Sequence, residues 1–440
     1  MPLALRAHLL DFTDDPSYTT GALRWVDDGL LVIEGGRIVA RGAYGDLAPT
    51  LPTGTELIDH RRCIVTPGFI DAHLHLPQID VIASPAPGLL QWLERHTFPA
   101  EAAFSDPAVC ADAAGFFLDE LARQGTTSAC AFGTVHAQSV EALFAQAQAR
   151  DVRIMAGKCL MDVHAPADLR DSADGGVQAS ADLAARWHGV GRLQYAITPR
   201  FAATSSRRQL ELAGELARAQ PTLAIQSHVA ENVDEVRWIA ELFPDARSYL
   251  DVYDRHHLLR ELSVYAHCIW LDAADRRRMA ETGALAAVCP TSNLFLGSGL
   301  FDFAAALDAG MPLALGTDVG GGQSFSMFSA MRSAHEVARL KGQALTSLQL
   351  WYWATRGAAR ALGWHERVGR LDPGFEADVI VIDPAATPLL ARRTADLHDA
   401  ERVEELLFAL LVLADDRAVR ETYLAGRPAK SSLASPQATV

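Results

Sequence analysis

Short apolar runs alternate with longer segments of helical composition through the middle of the chain. Alternation of buried strands with helices favours βαβ units and a parallel sheet. Eight runs predict a closed (β/α)₈ TIM barrel within the α/β class, although one misassigned run would restore an open sheet. The apolar runs are 64–70, 126–132, 152–160, 193–197, 222–227, 263–266, 284–288 and 312–316, and the clearest helical segments are 108–123, 138–149, 206–219 and 323–340.

Both ends of the chain carry a different pattern, made of short strands. Residues 30–34 and 37–41 flank Gly35-Gly36, a two-residue turn signal for a β-hairpin. Residues 377–382 and 421–424 are similar strand patterns near the other end. We therefore predict a small β domain built from both chain ends around the barrel. The predicted bounds are 1–66 with 368–429 for the composite β domain, 67–367 for the catalytic barrel, and 430–440 for a disordered tail.

Composition narrows the class of protein. The 440 residues carry a formal net charge of -15, which argues against a nucleic-acid or anionic-membrane partner, because both need a basic face. The six cysteines form no CxxC pair and are expected to be reduced thiols. The N-terminus lacks the apolar stretch of a signal peptide, and no run approaches the roughly 20 apolar residues of a membrane span. These features predict a cytoplasmic enzyme that acts on a small molecule.

Candidate metal ligands follow several of the predicted strands. His73 and His75 come directly after the first run, and residues at i and i+2 of a strand point to the same face. His228 follows the fifth run and Asp318 the eighth, so all four reach the end of the barrel where such enzymes build their sites. Alone, the His-x-His pair is equally consistent with two hydrogen-bonded loop histidines. Together the four residues predict a metal site.

The ligand set indicates which metal is held. Three neutral imidazoles and one carboxylate suit Zn²⁺, with Fe²⁺ as the alternative. Such a site lowers the pKa of a bound water to about 7 and so prepares a nucleophile. Arg200 stands after the fourth run, where a bridging lysine would be needed for two metals, so we predict one metal per chain.

Three further residues are predicted to take part in catalysis. Glu231 follows His228 by three residues, and a helical turn there would place both on one face. Its carboxyl could move a proton from water to a ring nitrogen; the alternative is an ordinary exposed helix glutamate. His267, after the sixth run, is predicted to hydrogen-bond the water, with a fifth ligand or a structural histidine as the alternatives. Asp318 could assist as a base while it binds the metal.

These motifs together resemble the amidohydrolase superfamily, in its branch of deaminases with one metal. The resemblance covers residues from about 30 to 425 and rests on 67–75, the His-x-x-Glu at 228–231, His267 and the Gly-Thr-Asp at 316–318. More particular stretches resemble the guanine deaminases. They are Gln78 and the segments 90–93, 97–101, 198–201, 226–232, 289–294 and 316–322.

The resemblance implies a fold, a reaction and a set of site residues. It implies a barrel with a β-sandwich made from both chain ends, and the hydrolysis of guanine to xanthine and ammonia in purine catabolism. It assigns the metal to His73, His75, His228 and Asp318, and proton transfer to Glu231. It places Gln78, Arg200 and Phe201, beside His228 and Glu231, against the base. It also implies a homodimer.

The chemistry of two of these residues independently suits a purine. The rigid donor fork of Arg200 matches the O6 and N7 acceptors of guanine, and Phe201 could stack on the ring. The alternative for Arg200 is a salt bridge at the end of its strand. Two other functions stay open: a related hydrolase acting on another purine, a pterin or a triazine ring, and a metal-stabilised protein without catalytic activity.

Overall fold

The computed structural model describes residues 2–397 and 399–433. The strands are β1 Leu3–Phe12, β2 Leu23–Glu34, β3 Arg37–Ala43, β4 Glu56–Pro67, β5 Phe69–His75, β6 Thr126–Phe132, β7 Arg153–Gly157, β8 Cys159–Leu160, β9 Leu193–Pro199, β10 Ala224–Val229, β11 Ser263–His267, β12 Leu285–Val288, β13 Leu313–Leu315, β14 Val379–Ile382, β15 Val419–Leu424 and β16 Arg427–Pro428. The α-helices are α1 Tyr44–Leu47, α2 Leu89–Trp92, α3 Phe98–Ala102, α4 Pro107–Gln124, α5 Ala137–Arg150, α6 Ala173–Trp187, α7 Arg207–Ala219, α8 Val233–Leu242, α9 Tyr249–Arg255, α10 Ala273–Thr282, α11 Pro290–Phe295, α12 Phe303–Asp308, α13 Met327–Leu340, α14 Ser347–Trp353, α15 Arg356–Ala361, α16 Pro388–Thr394 and α17 Val403–Leu413.

The central sheet is parallel and forms a nearly closed barrel, which confirms the predicted fold class. Its strand order is β5-β6-β7-β9-β10-β11-β12-β13, with the short β8 paired to β9. Just beyond β13, the backbone N–H of Asp318 donates to the carbonyl of His73 at 2.8 Å, and that of His75 donates to Val319 at 2.7 Å. These bonds join the two edges of the sheet and bring the chemistry of its first and last strands together.

A second sheet is built from both chain ends, as the two strand patterns predicted. Its order is β16-β15-β14-β4-β1-β2-β3, mostly antiparallel, with β1 and β4 running parallel. Strands from before and after the barrel therefore lie side by side, with β14 paired to β4. At the start of the predicted tail, the backbone N–H of Lys430 donates a hydrogen bond to the carboxylate of Glu421. Residues 434–440 of that tail lie outside the described residues.

The junction between the two sheets explains one difference from the apolar pattern. The run 64–70 contains the end of β4 in one sheet and the start of β5 in the other. Gly68 makes this transition, because a Cβ there would lie 2.2 Å from the side chain of Thr127. A strand change within a continuous apolar run has no signature in hydrophobicity alone.

Packing around the barrel is dense and apolar. Alternate strand residues, such as Ile70, Met155 and Val264, fill its interior, while the large core cluster lies between the strands and the surrounding helices. Buried polar side chains within the strands, such as Gln226, are hydrogen-bonded to their neighbours, and the predicted ligands lie toward the strand ends, where the catalytic site of a barrel is built. Across the described ranges, no helix combines the length and apolar character needed to span a membrane.

Candidate active site

A cavity of about 460 Å³ opens at the carboxyl ends of the barrel strands. Apolar side chains of the segment that follows β5, among them Leu89 and Trp92, line part of it together with Leu296, against which they pack. The predicted site residues that line the cavity are His75, Gln78, Arg200, Phe201, His228, Glu231, His267 and Asp318.

The four predicted metal ligands converge behind this cavity. Nε2 of His73 and Nε2 of His75 each lie 3.2 Å from Oδ1 of Asp318. Nε2 of His228 lies 3.2 Å from Nε2 of His75. His73 itself is only 1% exposed and is reached from the cavity past these neighbours. The structure thus brings together residues from the first, fifth and eighth strands of the barrel.

Asp71 fixes the position of this cluster, although the sequence analysis gave it no role. Its Oδ1 accepts hydrogen bonds from the backbone N–H of His73 at 3.1 Å and of Thr317 at 3.0 Å. Its Oδ2 accepts the hydroxyl of Thr317 at 2.5 Å. Burial raises the pKa of Asp71 to about 6. The side chain therefore ties the residue before Asp318 to the strand that carries His73.

The histidines are set to offer lone pairs to a cation. Nδ1 of His228 lies 2.5 Å from the carbonyl of Arg200, a group that only accepts, so Nδ1 carries the proton and Nε2 is unprotonated. Burial lowers the pKa of His75 to about 3, and burial with the adjacent imidazoles lowers that of His228 well below its ordinary value. Two neutral imidazoles thus bring their Nε2 atoms to within 3.2 Å of each other, and that of His228 offers a lone pair.

The remaining two ligands support the same interpretation. Nε2 of His73 is buried and makes no hydrogen bond within the described residues. Burial alone would raise the pKa of Asp318, but His73 and His75 hold it well below its ordinary value, so the carboxylate is charged. Three imidazole nitrogens gathered around one charged carboxylate, with Nε2 of His73 and Nε2 of His75 each 3.2 Å from Asp318, form a donor set that fits a divalent cation.

Two more residues lie at the edge of this cluster. Nδ1 of His267 lies 2.9 Å from Oδ1 of Asn293, and its Nε2 is 3.3 Å from Oε2 of Glu231 and 3.9 Å from Oδ2 of Asp318. His267 also has a ring nitrogen within 4.8 Å of those of His73 and His228, which keeps the fifth-ligand alternative open. Cys289 was not predicted as a site residue, but its sulfur also lies within 4.8 Å of ligand atoms of His73 and Asp318. Burial raises the pKa of its thiol.

Glu231 reaches the cavity by a different backbone path from the one expected. Helix α8 begins at Val233, so Glu231 lies in the loop before it, after a left-handed Ala230 with φ 51°. The side chain is only 4% exposed, which removes the alternative of an ordinary surface glutamate. Its Oε1 accepts the hydroxyl of Ser298 at 2.8 Å, and burial together with Asp318 raises its pKa to about 8.

The residues expected to contact a base form one wall of the cavity, and here the structure adds a partner. Nη1 of Arg200 lies 2.5 Å from both carboxylate oxygens of Glu101. Arg200 therefore lines the cavity and also makes the salt bridge that was the alternative to a substrate contact, while the contact with a base stays a prediction. Gln78 donates its amide to the same carboxylate, and Phe201 stands beside Trp238 with ring centroids 6.1 Å apart.

Several residues important to the site were given no role in the sequence analysis, although Glu101 and Asn293 lie in the segments 97–101 and 289–294 that carry the resemblance. Glu101, Asn293 and Ser298 make the contacts just described, and Glu235 holds the loop of Glu231. Oε2 of Glu235 accepts the backbone N–H groups of Glu231 and Asn232, which forms a capping box with Asn232 at the start of α8. That box has a readable local signal, Asn-x-x-Glu before an apolar stretch. The other three contacts join distant segments and have none.

Comparison with known proteins shows which family this protein belongs to. The model of the amidohydrolase family matches residues 64–429, and the chain belongs to that family. Guanine deaminase of Escherichia coli strain K12 is 40% identical over 427 residues, which cover 96% of this chain and 97% of the relative. The solved structure of E. coli guanine deaminase gives a TM-score of 0.93 at 39% identity, covering 97% of this chain and 98% of that one.

Two other solved structures extend the comparison. Guanine deaminase from C. acetobutylicum, with guanine bound in the active site, has a TM-score of 0.85 at 26% identity and covers 97% of this chain and 100% of its own. An adenosine deaminase from Xanthomonas campestris with bound zinc has a TM-score of 0.83 at 25% identity, and the match covers 97% of this chain and 92% of that one. The resemblance to the guanine deaminases is thus confirmed, as is the prediction of a hydrolase acting on C–N bonds.

Proposed function

We propose that this protein deaminates guanine, with water as the second substrate and with xanthine and ammonia as products. The water oxygen bonds to C2 of the base, the bond from C2 to the exocyclic nitrogen breaks, and the nitrogen leaves as ammonia. The observation that carries the proposal is the cavity itself, because residues of the candidate metal cluster, Glu231 and the wall of Gln78, Arg200 and Phe201 all line it. The identity to guanine deaminases over nearly the whole chain supports it.

Recognition of the base would use the wall that carries Arg200. Guanine presents O6 and N7 as acceptors on the edge opposite C2, and a guanidinium supplies donors to both. Because Glu101 engages Nη1, we assign this contact to the Nη2 and Nε side of Arg200. Adenine has an amino donor in place of O6 and would leave a buried donor unpaired, so the site should reject it.

We infer that His73, His75, His228 and Asp318 hold one divalent cation, Zn²⁺ or alternatively Fe²⁺. The neutral imidazoles and the charged carboxylate described above fit such an ion, and a zinc-bound deaminase is among the structural neighbours. When bound, the ion supplies a water of lowered pKa at this end of the barrel. His267 would hydrogen-bond the reacting centre through Nε2, and the contact of its Nδ1 with Asn293 supports this role.

Proton transfer falls to Glu231. A group that gives and takes a proton during turnover works best with a pKa near the operating pH. Burial and the charge of Asp318 raise the pKa of Glu231 to about 8, and the Ser298 hydroxyl orients its carboxyl. Glu231 would accept a proton from the attacking water and pass it to a ring nitrogen of the base. The second proton of the water has to reach the exocyclic nitrogen for it to leave as ammonia, and Asp318 would be the base that takes this proton and passes it on.

A substrate panel tests this function directly. Guanine, adenine, cytosine and a chlorinated triazine are offered to the purified protein, and ammonia release and ultraviolet absorbance are followed. We expect guanine to be turned over much faster than the others. A preference for adenine or a triazine, or no turnover of guanine, would overturn the proposal. The homodimer and the cytoplasmic location stay predictions, and sedimentation velocity tests the first.

A further inference from the structure

A buried carboxylate stands behind the base-binding wall without a part in the reaction described so far. Glu101 lies in α3 and is 0% exposed. Both of its oxygens lie 2.5 Å from Nη1 of Arg200, and Oε1 also accepts the amide N–H of Gln78 at 3.2 Å. It does not line the cavity. Any effect it has on a substrate must therefore pass through Arg200 and Gln78.

The contacts of Glu101 fix how both partners are oriented. A carboxylate only accepts hydrogen bonds, so the amide of Gln78 must turn its nitrogen toward Glu101. Its oxygen then faces the backbone N–H of Gly320, which donates to it at 3.2 Å. Gly320 follows Asp318 by two residues, and a Cβ on it would lie 2.3 Å from the carbonyl of Gln78. One carboxylate thus sets the orientation of Gln78 against the loop of Asp318.

Arg200 is held in a similar way from two sides. Its guanidinium carbon lies 5.6 Å from the ring centroid of Phe98, which is in the same helix as Glu101. The side chain is 3% exposed, so its charge is compensated within the protein by Glu101 rather than by water. A paired guanidinium presents donors without a net local charge, which suits an uncharged base better than an anion.

We propose that Glu101 is a positioning residue that determines affinity for the base, because it holds the guanidinium of Arg200 at the cavity wall and fixes which way the amide of Gln78 is turned. The inference rests on the proposed function, since it concerns how that substrate is held. Without the carboxylate, Arg200 can rotate away from its productive geometry and the Gln78 amide can flip. Binding of the base should suffer more than the chemical step, because Glu231 and the candidate metal cluster make no contact with Glu101.

The test compares Glu101→Gln with a matched control, Glu376→Gln. Glu376 also pairs with a largely buried arginine, Arg153, at 2.5 Å, but it lies outside the cavity. Metal content and guanine kinetics are measured for both variants and for the wild type. We expect Glu101→Gln to raise KM and lower kcat/KM by about 10–100-fold, the usual effect of losing a supporting contact, with kcat and metal less affected. The control should stay within about twofold.

Two further variants separate positioning from simple structural damage. Glu101→Asp keeps the charge but shortens the side chain, so its kcat/KM should lie between the wild type and Glu101→Gln. If Glu101 acts chiefly through Arg200, with Gln78 carrying the smaller part, adding Glu101→Gln to Arg200→Ala should change kcat/KM by no more than about threefold. An unchanged KM in Glu101→Gln, an equal loss in the control, or losses that multiply in the double variant would overturn the inference. Absence of guanine turnover in the wild type would instead overturn the proposed function beneath it.

Discussion

Replacing Arg200 by alanine should destabilise the protein as well as impair catalysis. At the mouth of a barrel, an arginine can be expected to tolerate truncation, but this one is paired with a fully buried carboxylate. Its removal leaves Glu101 with only the amide of Gln78, 3.2 Å away, to offset its charge. An uncompensated charge is thereby created inside the protein.

The size of the effect follows from the burial of both partners. Their side chains are 3% and 0% exposed, so solvent screens the pair little. Removing one partner of such a pair costs about 3–5 kcal/mol, because the other charge remains buried. Changing Glu101 to glutamine in the same chain removes that charge and should recover about 2 kcal/mol of the loss, leaving an imperfectly bonded amide.

Urea denaturation followed by tryptophan fluorescence measures these differences. The wild type, Arg200→Ala, and Arg200→Ala with Glu101→Gln are compared after chelation, so that metal binding does not add to stability. The single variant should have the lowest midpoint and the double variant an intermediate one. If the single variant matches the wild type, or if the double variant is the least stable of the three, the carboxylate is not compensated by Arg200 and the argument fails.

Three other outcomes are expected. Glu231→Gln should lower kcat by about 10²–10⁴-fold with its metal retained, because an amide cannot relay a proton; near-normal kcat would remove Glu231 from the mechanism. Elemental analysis should find about one Zn²⁺ or Fe²⁺ per chain, whose chelation abolishes turnover, and two ions per chain would contradict the four-residue ligand set. Burial and the adjacent Glu231 raise the pKa of Glu235 from 4.5 to about 7. The folded protein therefore binds this proton more tightly than the unfolded chain, and the contribution of Glu235 to the free energy of unfolding is largest at low pH and is lost as the pH rises through that range. Relative to Glu235→Gln, the wild type should therefore lose ~3 kcal/mol of unfolding free energy between about pH 4.5 and 7, and parallel pH profiles would contradict the assignment.

The barrel could be predicted because its strands are buried on both faces. A strand with the interior of the barrel on one side and helices on the other reads as a continuous apolar run, so 126–132 matches β6. The candidate metal ligands could also be predicted from the sequence, because a polar residue directly after such an apolar run lies at the end of a strand. His228 and His267 are each found at the end of their strand, at the mouth of the barrel.

Local backbone geometry was harder to predict than topology. Glu231 was expected on a helical turn, yet it reaches the cavity from a loop whose preceding residue, Ala230, has φ 51°. Non-glycine residues enter the left-handed region rarely, and alanine gives no sign of it. The loop is held there by Glu235 and by backbone donors from Ile269 and Trp270 to the carbonyl of Ala230. Tertiary hydrogen bonds thus override the local preference.

The pairing of Arg200 with Glu101 shows where reasoning from sequence must stop. The two residues are 99 positions apart, and no periodicity or spacing relates a short helix after the first barrel strand to the end of the fourth. From sequence, a substrate contact and a salt bridge looked like competing roles for one arginine. The folded chain shows the salt bridge, since Nη1 meets Glu101, and it also places Arg200 in the lining of the cavity, where the proposed contact with a base would be made. Because a buried guanidinium needs compensation before it can offer hydrogen bonds to a neutral base, the salt bridge does not compete with the proposed substrate contact but would be a condition for it.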